Sequence, residues 1–113
     1  LKNLQKIHFG RLFATRSGDK GGNANLGVWG KNINTYSFLK QFLTVDRLKA
    51  LLPDMGPFDI ERYELPNLLA VNFYIKGVLG EGVAASVRND PQAKTLGEYL
   101  RAKVIEVPEH ILK

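Results

Sequence analysis

Ten consecutive residues, Arg16-Ser17-Gly18-Asp19-Lys20-Gly21-Gly22-Asn23-Ala24-Asn25, hold the densest chemistry in this sequence. Small residues in succession let backbone N–H groups turn toward one centre and form an anion nest, to which Arg16 and Lys20 add positive charge. Phosphate, a carboxylate or an acyl-CoA pyrophosphate would each suit it. The segment is no P-loop, because it lacks a Gly-Lys-Ser/Thr ending with a helix behind it. It is no dinucleotide fingerprint either, because the Gly-x-Gly-x-x-Gly spacing is missing. The alternative is a hairpin connection whose glycines and asparagines merely accept positive φ. Asp19 as a base beside Lys20 as electrostatic stabiliser is the one catalytic pairing on offer, since neighbours in a glycine loop need not face opposite ways.

Other candidates are sparser. Asn67 follows Pro66, and Asn72 interrupts the apolar run from Leu68 to Ile75. A buried amide needs partners, so each is expected to bond to backbone, or Asn72 faces the glycine segment across a sheet. Arg88 precedes the turn signal Asn89-Asp90-Pro91, as a surface arginine or an anion contact. His8 and His110 lie near the chain ends, so no triad with Ser17 and Asp19 is assigned, and solvent-exposed or packing roles are expected. Zero cysteines and no spaced carboxylate cluster leave no metal-ligand pattern, and no cofactor is expected.

The elements that must position these groups follow from periodicity. Ile7 to Thr15 reads as a strand with a bulge at Gly10, the ten-residue segment as a loop, and Leu26 to Trp29 as a short second strand. Thr35 to Leu52 carries three- and four-residue spacing for one or two helices, with Thr44 as N-cap of the second and Pro53 as its stop. Phe58 to Leu65 alternates as a half-exposed strand. Leu68 to Ile75 is apolar enough for a central strand buried on both faces. Gly77 to Asp90 is open to strand, short helix or loop. Thr95 and Glu98 have capping-box spacing for a short helix ending near Lys103, and Val104 to Val107 closes the chain as an edge strand. The order predicts an α+β fold, ferredoxin-like, with a mostly antiparallel sheet and helices on one face. The other face or the edge would then serve a second subunit or domain.

Composition narrows the classes. At 113 residues with 44% hydrophobic content, one domain spanning 1–113 is expected. No stretch of about 20 apolar residues could cross a bilayer, no apolar signal core follows Leu1, and a cytoplasmic setting is expected. The net charge is +5, concentrated in residues 1–50, which hold nine Lys/Arg against Asp19 and Asp46. Such an excess can attract nucleic acid, an acidic membrane surface or an anionic cofactor, or serve solubility alone; the cations are scattered singly rather than striped, which argues against nucleic acid.

Three blocks together resemble the small ferredoxin-fold domain of the AtuA-like family, named after acyclic terpene utilisation. They are Ala14 to Gly27 around Arg-Ser-Gly-Asp-Lys-Gly, Glu64 to Phe73 around Leu-Pro-Asn, and Ala85 to Lys94 around Arg-Asn-Asp-Pro. The resemblance implies that Arg16, Ser17, Gly18, Asp19, Lys20, Gly21, Asn23, Asn25, Pro66, Asn67, Asn72, Arg88 and Asp90 recur. Gly22 joins them as a nest residue. Gly80-Glu81-Gly82 and Ala93 depart from the family's glycines, and Glu81 argues against a second anion loop. In that family the domain follows a large N-terminal domain or stands as a small separate protein. The implied context is bacterial catabolism of terpenoid or branched acids as CoA thioesters. The expected function is therefore an accessory domain or subunit, in a homo- or hetero-oligomer, that docks onto a larger AtuA-like partner and holds an anionic group such as an acyl-CoA. A self-contained hydratase or lyase on acyl-CoA thioesters is the alternative.

Overall fold

In the segment Asn23–Trp29, Ala24, Leu26 and Val28 are fully buried, while the alternate side chains Asn23, Asn25 and Trp29 are only half-buried and Gly27 is buried. Such alternation makes a strand with one face on a core and one face bare. The computed structural model describes residues 3–20, 22–77 and 92–112. Its strands are β1 (Leu4–His8), β2 (Ala14–Lys20), β3 (Asn23–Trp29), β4 (Asp59–Leu65), β5 (Ala70–Lys76) and β6 (Val104–Pro108), and its helices are α1 (Ile33–Phe42), α2 (Val45–Leu51) and α3 (Gln92–Arg101). β2, β3, β5 and β4 form a four-stranded sheet in that order, and β1 pairs with β6 in a two-stranded ribbon. Every pairing is antiparallel. The result is the α+β architecture the element order predicts.

The helices cover one face. Leu39, Leu43, Leu48, Leu96 and Leu100 join Leu26, Val28, Val71, Phe73 and Ile75 in one buried cluster. An aromatic chain extends it, with ring centroids 4.7 Å apart for Phe9 and Phe13, 6.3 Å for Phe13 and Phe38, and 5.1 Å for Phe38 and Phe42. α3 lies so close to β2 that a Cβ on Gly97 would stand 2.6 Å from Thr15 Oγ1, so only glycine permits this approach. The Gly97 N–H donates to Ser17 Oγ at 3.1 Å on the same side.

Local sequence sets the helix ends. Asn32 accepts from the Thr35 N–H while Thr35 Oγ1 accepts from the Asn32 N–H, a reciprocal cap that starts α1 two residues before the expected Thr35. Thr44 accepts from the Arg47 N–H as the predicted N-cap of α2, and Pro53 opens the 3-10 turn Pro53–Met55 that follows. No described helix is long and apolar enough to cross a membrane.

Several expectations are corrected. The strand predicted over Ile7 to Thr15 is two strands separated by a 3-10 turn, Phe9–Arg11, because Phe9, Leu12 and Phe13 are all buried and cannot alternate. The predicted loop is mostly strand: β2 runs through Lys20 and β3 starts at Asn23, with Gly22 in a turn at φ 92°. The run predicted to be buried on both faces is buried on one, since Asn72 and Tyr74 of β5 are half-buried. It also starts later, at Ala70, because Leu69 adopts a left-handed conformation (φ 54°) that ends the 3-10 turn Pro66–Leu68. Thr95 lies inside α3 and not at its start. The segment from Gly77 to Asp90, open in sequence, falls outside the described residues beyond Gly77, as do Gly21, Arg88 and Asp90.

Candidate functional site

Directly paired residues of antiparallel strands point to the same side of a sheet, so the register alone maps the bare face. Arg16, Gly27, Asn72 and Tyr63 form one row across β2, β3, β5 and β4. On one side of it runs the row Gly18, Asn25, Tyr74, Glu61, and on the other the row Ala14, Trp29, Ala70, Leu65. Between these rows lies a hollow of about 400 Å³ whose lining includes Arg16, Gly18, Asn25, Gly27, Trp29, Asn72, Leu65 and Leu68. That volume is in the range of small-molecule sites, roughly 300–1,000 Å³.

Gly27 is buried beneath the Trp29 ring. A Cβ there would meet that ring at 3.1 Å and Asn72 Oδ1 at 3.6 Å, so glycine lets the indole lie close over the strand and form one wall of the hollow. Arg16 is exposed and makes no hydrogen bond or ion pair among the described residues, and the side-chain amides of Asn25 and Asn72 have no hydrogen-bond partner among them either. The arrangement offers one cationic fork, two amides, an indole and a leucine wall to whatever enters.

The predicted residues divide. Arg16, Gly18, Asn25 and Asn72 converge on the hollow. Ser17 borders it, yet its Oγ receives the Gly97 N–H on the helix side. Asn23 serves the fold: its amide donates to Tyr74 Oη at 2.7 Å and its Oδ1 accepts from the Gly77 N–H at 2.6 Å, tying the hairpin end to the end of β5. Asn67 is exposed in the turn Pro66–Leu68, and Gly22 shapes the β2–β3 turn. The backbones of Asp19 and Lys20 pair with Ala24 and Asn23 at the hairpin end. His8 lies on the β1–β6 ribbon with Nδ1 3.2 Å from the Ala102 carbonyl oxygen. Gly27, Trp29, Leu65, Leu68 and Ala70 were not among the predicted site residues. Their signal was the period of two that continues from Asn25 through Gly27 to Trp29 once the segment is read as strand. A second hollow of about 390 Å³, lined by Leu52, Met55, Leu96, Tyr99 and Lys103, lies on the helix layer and contains none of the predicted residues.

The described acids of the bare face, Asp59 and Glu61, are engaged with Lys76 and not with Arg16. Lys76 Nζ lies 2.8 Å from Glu61 and 3.6 Å from Asp59, and the Tyr63 hydroxyl donates to Glu61. The Lys76 ammonium, helped by that hydroxyl, holds the Glu61 carboxyl below the ordinary carboxylate range. The same carboxylate raises the Tyr63 phenol and the Lys76 ammonium. A depressed carboxyl stabilises the fold fully above its unfolded pKa and loses that contribution as pH falls through the folded value. Because the cluster is exposed, the effect on stability is small and the effect on titration is the one to read. In a carboxyl-detected NMR titration, Glu61 is expected to titrate low in the parent chain and to move up toward an ordinary glutamate in Lys76→Met. An unchanged midpoint in that variant would show that Lys76 does not hold the cluster.

A family model, the AtuA ferredoxin-like domain, matches residues 7–106. No curated protein and no solved structure matches the chain.

Proposed function

The chain belongs to the AtuA ferredoxin-like domain family by that match over residues 7–106, and from this membership we propose that it is an accessory domain or small subunit of a larger AtuA-like protein. Its bare sheet face docks onto the larger partner, and the Arg16 hollow completes a ligand site there. Arg16 neutralises an anionic group, Asn25 and Asn72 donate to it, and Asn23 keeps the hairpin in place from outside the site. The setting is bacterial catabolism of terpenoid or branched acyl-CoA compounds, and the domain contributes binding, with the chemistry supplied by the partner.

The observation that carries this reading is the row Arg16–Gly27–Asn72, which opens a polar hollow on the sheet face that no described helix covers. Exposed Tyr63, Leu65 and Leu68 stand beside it, an apolar margin of the kind that interfaces bury. The test is co-elution of the chain with the large AtuA-like subunit in size-exclusion chromatography. A complex is expected, with its affinity lowered at least about tenfold by Leu65→Glu with Leu68→Glu, since two charges would be desolvated without partners. Absence of a complex, together with turnover of an acyl-CoA by the chain alone, would favour the self-contained hydratase or lyase instead.

A further inference from the structure

Resting on the hollow assigned above, we infer the chemical class of its occupant: a monocarboxylate carried on a flat or flexible apolar body, and not a phosphate or pyrophosphate. Charge decides the head group. Among the described residues lining the hollow, Arg16 is the only charged one, and its neighbours across Gly27 are neutral amides. A planar guanidinium matches one carboxylate with two parallel hydrogen bonds, and amide donors complete the set. A phosphate dianion or a pyrophosphate would leave charge uncompensated in such a site, where recognition ordinarily gathers several cations or a helix N-terminus.

Shape decides the body. The row beside Arg16 is Ala14–Trp29–Ala70–Leu65, one same-face step away, about 7 Å along each strand. From a carboxylate at Arg16, the rest of the ligand therefore lies against the Trp29 ring, which is packed over Gly27, and against the leucines 65 and 68. Among the described residues that half of the hollow contains no charge, so it favours carbon and rejects a second ionised group.

Trp29 is the sole tryptophan of the chain and reports on the site directly. Its fluorescence is to be followed while the full chain is titrated with octanoate, with octanol as the same body without the charge, with inorganic phosphate and with CoA. Octanoate is expected to give a saturable change, weakened roughly tenfold or more both by octanol's loss of charge and by Arg16→Gln. Gly27→Val, whose side chain displaces the Trp29 ring from the wall of the hollow, is expected to abolish the response, and an amide NMR spectrum of each variant verifies that the fold is kept. No saturable response to octanoate overturns the inference, as does an octanoate response indifferent to both substitutions. If phosphate or CoA instead shifts the amides of Arg16, Gly18 and Asn25, the carboxylate class fails while the anion site proposed above survives. If no probe moves those amides, both fail, and partner docking is judged by co-elution alone.

Discussion

Replacing Phe73 with alanine is expected to lower the unfolding free energy by about 3–5 kcal/mol, whereas Tyr74→Ala, one residue along the same strand, costs about 1–2 kcal/mol. Phe73 is fully buried on the helix-covered side of β5, opposite Leu26 of β3, and its loss leaves a cavity that fixed neighbours on both elements cannot fill. Tyr74 points to the bare side, half-buried, and its main attachment is the hydrogen bond from Asn23. A domain of this size has roughly 5–15 kcal/mol in total, so Phe73→Ala removes a large share of it and lowers the urea midpoint by about 2 M. Urea unfolding of both variants, followed by circular dichroism, reads the contrast. Equal costs would mean that the second sheet face is as closely packed as the first, and the hollow would lose its physical basis.

That contrast marks where the sequence was legible. Val71, Phe73 and Ile75 announce a strand by type and spacing, and Thr44 and Pro53 bound α2 because capping and the missing proline N–H act over one turn. The same reasoning misread the other side of β5. Apolar residues in a row suggest burial on both faces, but on that side only Ala70 is buried, Asn72 is half-buried, and Tyr74, also half-buried, is held by one amide. The 3-10 turn at Phe9–Arg11 was hidden for a tertiary reason: the Phe9 N–H donates to the Lys103 carbonyl, a partner far away in sequence.

The site was legible in its residues and illegible in its form. Glycine and asparagine have low strand propensity, so Arg16 to Asn25 reads as a loop. Propensity was overridden because β3 pairs with β2 on one side and β5 on the other, and because the small polar residues of the segment occupy a face that no described helix covers. As a nest, the segment would bind through its backbone. As a hairpin it presents Arg16 and Asn25 on one side, and Asn72 joins them from 47 positions further along the chain than Asn25 through a register that no local pattern encodes.

The second large effect concerns how the helix layer is fastened to the sheet. Arg62→Met is expected to destabilise the fold by about 2–3 kcal/mol, the range for charge-assisted hydrogen bonds whose acceptors are left without a donor. Arg62 sits on the helix side of the edge strand β4, its side chain only 18% exposed. Its Nε donates to the Leu43 carbonyl at 2.9 Å and its Nη2 to the Lys40 carbonyl at 2.6 Å, so a strand residue caps the C-terminal end of α1. The last carbonyls of a helix lack intrahelical donors and carry its negative dipole end, which is why a cation is worth most there. Methionine keeps the aliphatic stem against the core, so the loss isolates the three donors. Arg62→Lys retains the charge but a single ammonium cannot span both carbonyls, and less than half of the loss is expected to be recovered. Glu64, which receives Nη1 at 2.8 Å, is 44% exposed, and Glu64→Gln is expected to cost no more than about 0.5 kcal/mol. Denaturant unfolding of the three variants orders them. Should Arg62→Met cost no more than Glu64→Gln, the contacts to α1 contribute nothing beyond a surface ion pair, and the helix layer is held by its leucines alone.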